Sequence, residues 1–213
     1  MLKIAHRGYS SEFGDNNLLS FKKAIEHHFD YIEMDIQLNK DNSLVIFHDV
    51  SYNQKRINDM NDNEIKENNI LFLKDFFKEI NINHYKDLKL VFDLKNSENL
   101  SQIVYHFLID NNINLDQIIL ASFNSLHLDY FINHHEIDKF HLGYISANNN
   151  IHYQYLDKIK YIILDISTIN NELITKLKKL NKIIFCYTCY SKCELNLFKK
   201  YNIDGVISNI KFN

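Results

Sequence analysis

Short apolar runs rich in β-branched residues recur along the chain, most with a polar residue at one end. They fall at 3–6, 31–37, 43–48, 89–94, 118–122, 140–145, 161–166, 182–188 and 205–208. Each has the length and composition of a buried strand. Between most of them the apolar positions change to helical spacing, as with Leu18, Phe21, Ala24, Ile25 and Phe29 within 17–29. Leu100, Ile103, Val104, Phe107 and Leu108 do the same within 97–110, and stretches 125–134, 170–180 and 191–201 repeat the pattern. Strand–helix alternation predicts a parallel sheet covered by helices. In an α/β chain of 213 residues it predicts a (β/α)8 TIM barrel.

Two features depart from a regular barrel. Runs 31–37 and 43–48 are separated only by the polar turn around Lys40, Asp41 and Asn42. That is too short for a parallel crossover, and it leaves nine candidate strands for eight places. A polar excursion of about 50–88 follows, with helical pieces near 62–68 and 73–80 and no expected strand. It is read as an insertion on the face that carries His48, too short to bury a core of its own, within one domain spanning 1–213.

Composition removes several classes of function. A hydrophobic share of 46% and a charged share of 24% are those of a soluble globular protein. The net charge of -3 and scattered lysines form no basic stripe, so nucleic acid is not an expected partner. No apolar run reaches the length of a membrane span. The first strand begins at Lys3 without a basic or apolar leader, so a cytoplasmic location is expected. With no Pro and four Gly, turns fall to Asn and Asp, and each Gly is expected to mark a backbone requirement. Cys186, Cys189 and Cys193 have spacing that invites a soft-metal site, but no fourth ligand accompanies them, and buried free thiols are the expectation. The pairs His27–His28 and His134–His135 fall toward helix C-termini and read as surface features.

The chemistry gathers at strand ends, which in a barrel converge on one mouth. There stand His6 and Arg7, then Glu33 and Asp35, then His48, and after a long gap Asp93 and Lys95. Glu33 and Asp35 are two apart on a strand and point the same way, as do Asp93 and Lys95. Three inward carboxylates with few soft ligands suit a hard divalent cation, Mg²⁺ or Ca²⁺. Arg7 and Lys95 beside it make a pocket for an anion such as phosphate. Two histidines supply a general acid and a general base. Metal-assisted cleavage of a phosphate ester is the expectation. Asp93 and Lys95 paired only with each other, and Asp15 as a helix cap, are the structural alternatives. Asp165 is a further candidate for the mouth, with no task assigned.

These residues also carry a resemblance. His6-Arg7-Gly8, Asn16 before Leu18–Phe21, Glu33-Met34-Asp35, His48-Asp49, Asp93-Leu94-Lys95, Ser122-Phe123 and Ile203-Asp204-Gly205-Val206-Ile207 occur in an ordered set. The set resembles the glycerophosphodiester phosphodiesterase family and spans His6 to Asn209. The resemblance implies a distorted (β/α)8 barrel and hydrolysis of glycerophosphodiesters to sn-glycerol 3-phosphate and an alcohol. It implies His6 and His48 as the acid/base pair and Glu33, Asp35 and Asp93 as metal ligands, with Arg7 and Lys95 on the phosphate. The chain departs from the family at Gly14-Asp15-Asn16-Asn17, where Pro-Glu-Asn-Thr is usual. Asp93 replaces the usual Glu, Tyr187 stands for a late-strand Trp, and the excursion is shorter. Two other functions fit the same residues. One is a lysophospholipase D-like phosphodiesterase, for which Phe72, Phe76 and Phe77 are the available apolar surface. The other is a catalytically silent barrel that binds phosphorylated ligands.

Overall fold

The computed structural model describes residues 1–95, 98–133, 137–149, 151 and 153–211. The His134–His135 pair and the start of the 97–110 stretch lie outside the described residues. The elements, in order, are β1 (Leu2–Ala5), α1 (Ser10–Phe13), α2 (Leu18–Glu26), β2 (Tyr31–Leu38), β3 (Leu44–Ile46), β4 (Ser51–Tyr52), β5 (Lys55–Arg56), α3 (Asp62–Glu67), β6 (Leu71–Phe72) and α4 (Leu73–Glu79). They continue with β7 (Lys89–Leu94), α5 (Leu100–Asp110), β8 (Ile118–Ser122), α6 (Ser125–Ile132), β9 (His141–Ser146), β10 (Tyr161–Asp165), α7 (Asn171–Lys179), β11 (Ile183–Cys189), α8 (Lys192–Phe198) and β12 (Gly205–Ser208).

Strands β1, β2, β7, β8, β9, β10, β11 and β12 pair in parallel in that order. The ring closes where Ile4 of β1 meets Tyr31 of β2 and Leu2 meets Gly205 of β12. This is the (β/α)8 barrel the alternation predicts. Residues of alternate sense divide into two cores, as the strand period of two requires. Ile4, Val91, Ile119, Ala121, Ile145, Ile163, Phe185 and Ile207 fill the barrel, while Ile32, Met34, Leu90, Leu120, Leu142, Ile162 and Ile184 face the helices. At Gly205 a Cβ would lie 2.8 Å from the Phe185 ring and 3.1 Å from Ile4, so only Gly lets β12 pass this filling. Among the described residues between β9 and β10 no α-helix covers the barrel. A loop does so instead, with Tyr153 stacked on Tyr144 at 5.1 Å.

The ninth candidate strand is β3, and it is not a barrel stave. It pairs antiparallel with the far half of β2, Leu38 with Leu44 and Ile36 with Ile46, and β6 pairs antiparallel with β3 in turn. The excursion departs from expectation in two ways. It does contain strands, β6 and the β4–β5 hairpin. It also has a small core, in which Ile57, Met60, Ile65, Ile70 and Phe72 close over Val45. Short strands interrupted by Asn, Asp and Lys lack a readable period, which is why they escape a pattern search. Helix α4 belongs to the ring around the barrel: Phe76 packs on Phe21, and Phe77 on Phe92 and Phe107. Among the described residues, no helix is long and apolar enough to cross a membrane.

Candidate active site

At the end of β1 the chain must turn sharply to start α1. Arg7 adopts φ 56° and Gly8 φ 81°. A Cβ on Gly8 would fall 2.8 Å from the Ser20 backbone, so Gly is required there. The turn aims Arg7 back over the mouth. Its backbone N–H donates to Glu33 Oε2 at 2.8 Å and Nη1 donates to Asp15 Oδ2 at 2.9 Å. Its Nε lies 3.3 Å from Asp35 Oδ2 in an ion pair. Asp15 therefore serves Arg7, and the helix cap, its alternative role, is supplied by Asn17.

Glu33 and Asp35 project from β2 into the barrel and Asp93 from the adjacent position of β7, where Asp35 and Asp93 are register partners. All three are buried, and one oxygen from each lies within 4.8 Å of the others. Lys95, just past β7, bonds Asp35 Oδ1 at 2.8 Å and also Asp93 Oδ2. It thus joins the two strands, where a bond to Asp93 alone was the structural alternative.

His48 reaches the mouth by a route the periodicity does not show. β2 runs beyond the barrel rim, and β3 turns back along it, with Phe47 N–H donating to Asp35 O at 3.0 Å. Gln37, on the same face as Glu33 and Asp35, then holds the segment on both sides of His48. Its Nε2 donates to Phe47 O at 2.6 Å and Asp49 O at 2.9 Å. The His48 ring is half-exposed, with Nδ1 2.7 Å from Asp49 Oδ1. His6 is enclosed by contrast. Its backbone N–H donates to Ser208 O, and Nδ1 lies 2.5 Å from Asn209 Oδ1. An amide oxygen only accepts, so Nδ1 carries the hydrogen and Nε2 keeps a lone pair.

His6, Arg7, Glu33, Asp35, His48, Asp93 and Lys95 line a cavity of about 150 Å³, together with Phe123, Tyr187 and Tyr190. Every site residue expected from the sequence is there. Phe72, Phe76 and Phe77 are not; they pack in the two cores described above. Asp165 instead caps the turn that follows β10, accepting from Ser167 N at 2.8 Å. Of the cysteines, Cys186 and Cys189 are buried and Cys193 is exposed, which corrects the expectation for the last.

The electrostatics follow from burial. Burial, with Asp35 and Asp93 alongside, pushes the Glu33 carboxyl well above the usual carboxylate range. Asp93 is pushed up to about 6 by burial and Asp35, against the pull of Lys95. Burial would raise Asp35 too, but Lys95 and Arg7 outweigh it and hold that carboxyl low. His6 is pushed down to about 4, first by burial and then by Arg7, so the ring is neutral at pH 7. Three carboxylates face two fixed cations, and Asp93 Oδ1 is buried with no hydrogen-bond partner among the described residues. A buried carboxylate oxygen without a partner is costly. Oxygen donors, unmatched negative charge and an orphaned oxygen fit a hard divalent cation.

A family model described as "Glycerophosphoryl diester phosphodiesterase family" matches residues 6–210. The chain belongs to this family. Similar proteins include the uncharacterized protein YqiK of Bacillus subtilis (strain 168), 49% identical over 55 residues, which are 25% of this chain and 23% of that protein. A glycerophosphodiester phosphodiesterase of Caldanaerobacter subterraneus is 50% identical over 48 residues, 22% of this chain and 20% of that protein. These alignments thus span about a quarter of the relatives' length or less. The fold matches over far more. The solved structure of an Oleispira antarctica phosphodiesterase in complex with the product sn-glycerol-3-phosphate has a TM-score of 0.85 and 20% identity, covering 99% of this chain and 94% of that one.

Proposed function

We propose that the chain hydrolyses glycerophosphodiesters to sn-glycerol 3-phosphate and an alcohol, with one divalent cation, Mg²⁺ or Ca²⁺. The observation that carries the reading is the single cavity lined by two histidines, three buried carboxylates, Arg7 and Lys95. Glu33, Asp35 and Asp93 would hold the cation, which would supply positive charge beside the phosphodiester oxygens, and Arg7 and Lys95 bind those oxygens.

His6 and His48 divide the proton transfers. His6, neutral and with Nδ1–H held by Asn209, accepts at Nε2 a proton of the attacking water, whose oxygen becomes the new phosphate oxygen of glycerol 3-phosphate. A bond from that oxygen to phosphorus forms as the bond from phosphorus to the alcohol oxygen breaks. His48, at the open side beside Asp49, donates a proton to the departing alkoxide. A silent binding barrel has no use for two such groups. The lysophospholipase D-like reading loses its support, because Phe72, Phe76 and Phe77 pack away from the cavity. The reading includes a single barrel domain over residues 1–213 and a cytoplasmic location, which the three free cysteines support because they suit a reducing compartment.

The test is release of glycerol 3-phosphate from glycerophosphocholine and glycerophosphoethanolamine, with and without chelator. Activity abolished by chelator and restored by Mg²⁺ or Ca²⁺ is the expected result. Phosphate binding with no turnover of either substrate would overturn the reading. His6→Ala and His48→Ala should each lower kcat about 10²- to 10⁴-fold, while cation affinity measured by calorimetry stays near native.

A further inference from the structure

Asp35 is the most enclosed of the three carboxylates, and its orientation is set by a residue with no role assigned so far. Asn16 lies in the turn between α1 and α2 and is itself buried. Its backbone has φ 51°, and its N–H donates to Arg7 O at 2.9 Å. Its amide grips Asp35 at two points. Nδ2 donates to Asp35 Oδ2 at 2.7 Å, and Oδ1 accepts from the Asp35 backbone N–H at 3.4 Å.

The terminal torsion of an aspartate is soft, so a carboxylate needs outside partners to present one chosen oxygen. Here Oδ2 is engaged by the Asn16 amide and by the Arg7 guanidinium. Oδ1 is bonded by Lys95 Nζ at 2.8 Å, so the two clamps from Asn16 and the two cations together fix the plane of the carboxylate. The residue type follows from two demands. The left-handed backbone favours Gly, Asn or Asp. The partners need one donor for a carboxylate and one acceptor for an N–H. Asp has no donor and Gly has neither group, which leaves Asn.

We propose that Asn16 is a positioning residue of the cation site, clamping the Asp35 carboxylate in the orientation from which it would serve the metal. The inference rests on the cation reading given above, and it extends that site to a residue that does not touch the ion. Outer partners that orient metal ligands contribute about 10- to 100-fold to affinity in other sites. The informative variant is Asn16→Gly, which tolerates the left-handed backbone and removes only the clamp. Asn17→Ala is the comparator. It loses the helix cap to Ser20 in the same turn and touches no carboxylate.

Mg²⁺ and Ca²⁺ are titrated into the native protein and both variants by calorimetry, with thermal unfolding measured in parallel. The expected result is cation affinity weakened about 10- to 100-fold in Asn16→Gly and unchanged in Asn17→Ala, although the latter lowers the unfolding temperature. Native affinity in Asn16→Gly overturns the inference alone. Equal weakening in both variants also overturns it, since loss of the turn would then account for the effect. No cation uptake by the native protein overturns the cation reading, and the inference with it.

Discussion

His6 takes its orientation from Asn209, 203 residues away in the chain. The backbone of Asn209 is fixed from two sides, its N–H donating to Cys189 O and its carbonyl accepting from Ser11 N–H, so the amide sits on a rigid support. Asn209→Leu keeps the volume and removes the acceptor. It is expected to lower kcat about 100-fold with KM near native, the cost of a misaimed base. Steady-state kinetics that find kcat unchanged would remove Asn209 from the mechanism. Asn209→Asp keeps an acceptor and adds a negative charge, which favours the imidazolium. The base must be neutral to act, so the acid limb of the pH–rate profile should move to higher pH. At this scale the sequence was legible where chemistry follows local spacing. Glu33 and Asp35 announce themselves as charges on one face of an apolar strand. Gln37 continues that face, yet its partners are backbone carbonyls, which no sequence pattern records. Asn209 is equally silent, because its meaning depends on β1 and β12 lying side by side.

Elements carry the second histidine. Gln37 of β2 holds the backbone on both sides of His48, and the segment that follows closes a small core of its own, so His48 is expected to depend on packing well away from the cavity. Ile65 on α3 is fully buried in that core. Ile65→Ala is expected to cost about 2–5 kcal/mol of local stability. Hydrogen exchange should then rise through the segment from β4 to β6, leave β7 through β12 protected, and accompany a fall in kcat. Uniform exchange across the barrel would show that the segment and the barrel unfold together. The helices α2, α5, α6, α7 and α8 were legible because each buries one apolar stripe. The short strands were not, since two residues are too few to show a period, and β6 is moreover held by β3, more than twenty residues earlier. The same physics makes β3 look like a ninth stave: its apolar residues do form a strand, but the short turn before it compels an antiparallel partner.

The whole molecule is a closed ring, and its outer layer has a pH sensitivity of its own. His127 on α6 is buried and joined to α5 through Ser101, whose Oγ is 3.1 Å from Nδ1 and donates to His127 O at 3.0 Å. Burial pulls its pKa below the ordinary histidine value of 6.5. Above that pH neither folded nor unfolded chain is protonated there, and the group has no effect. As pH falls below it, the unfolded chain takes up a proton that the folded chain resists, so stability declines. Urea denaturation between pH 7 and pH 5 should show a shallower decline in His127→Asn than in the native protein. An identical slope in the two would exclude His127 as a source. At this largest scale the sequence by itself determined the strand–helix alternation, the number of staves within one, and the residues able to do chemistry at their ends. Those properties depend on side-chain period and residue type, which are local. Only the tertiary structure decided which strand leaves the ring, that the excursion closes a core of its own, and which amides aim the reactive groups. Those decisions rest on hydrogen bonds and packing between residues distant in the chain. Thus His6, Arg7, Glu33, Asp35, His48, Asp93 and Lys95 could be named in advance, while the contacts through which Asn16, Gln37 and Asn209 orient the site became visible only once the barrel had closed.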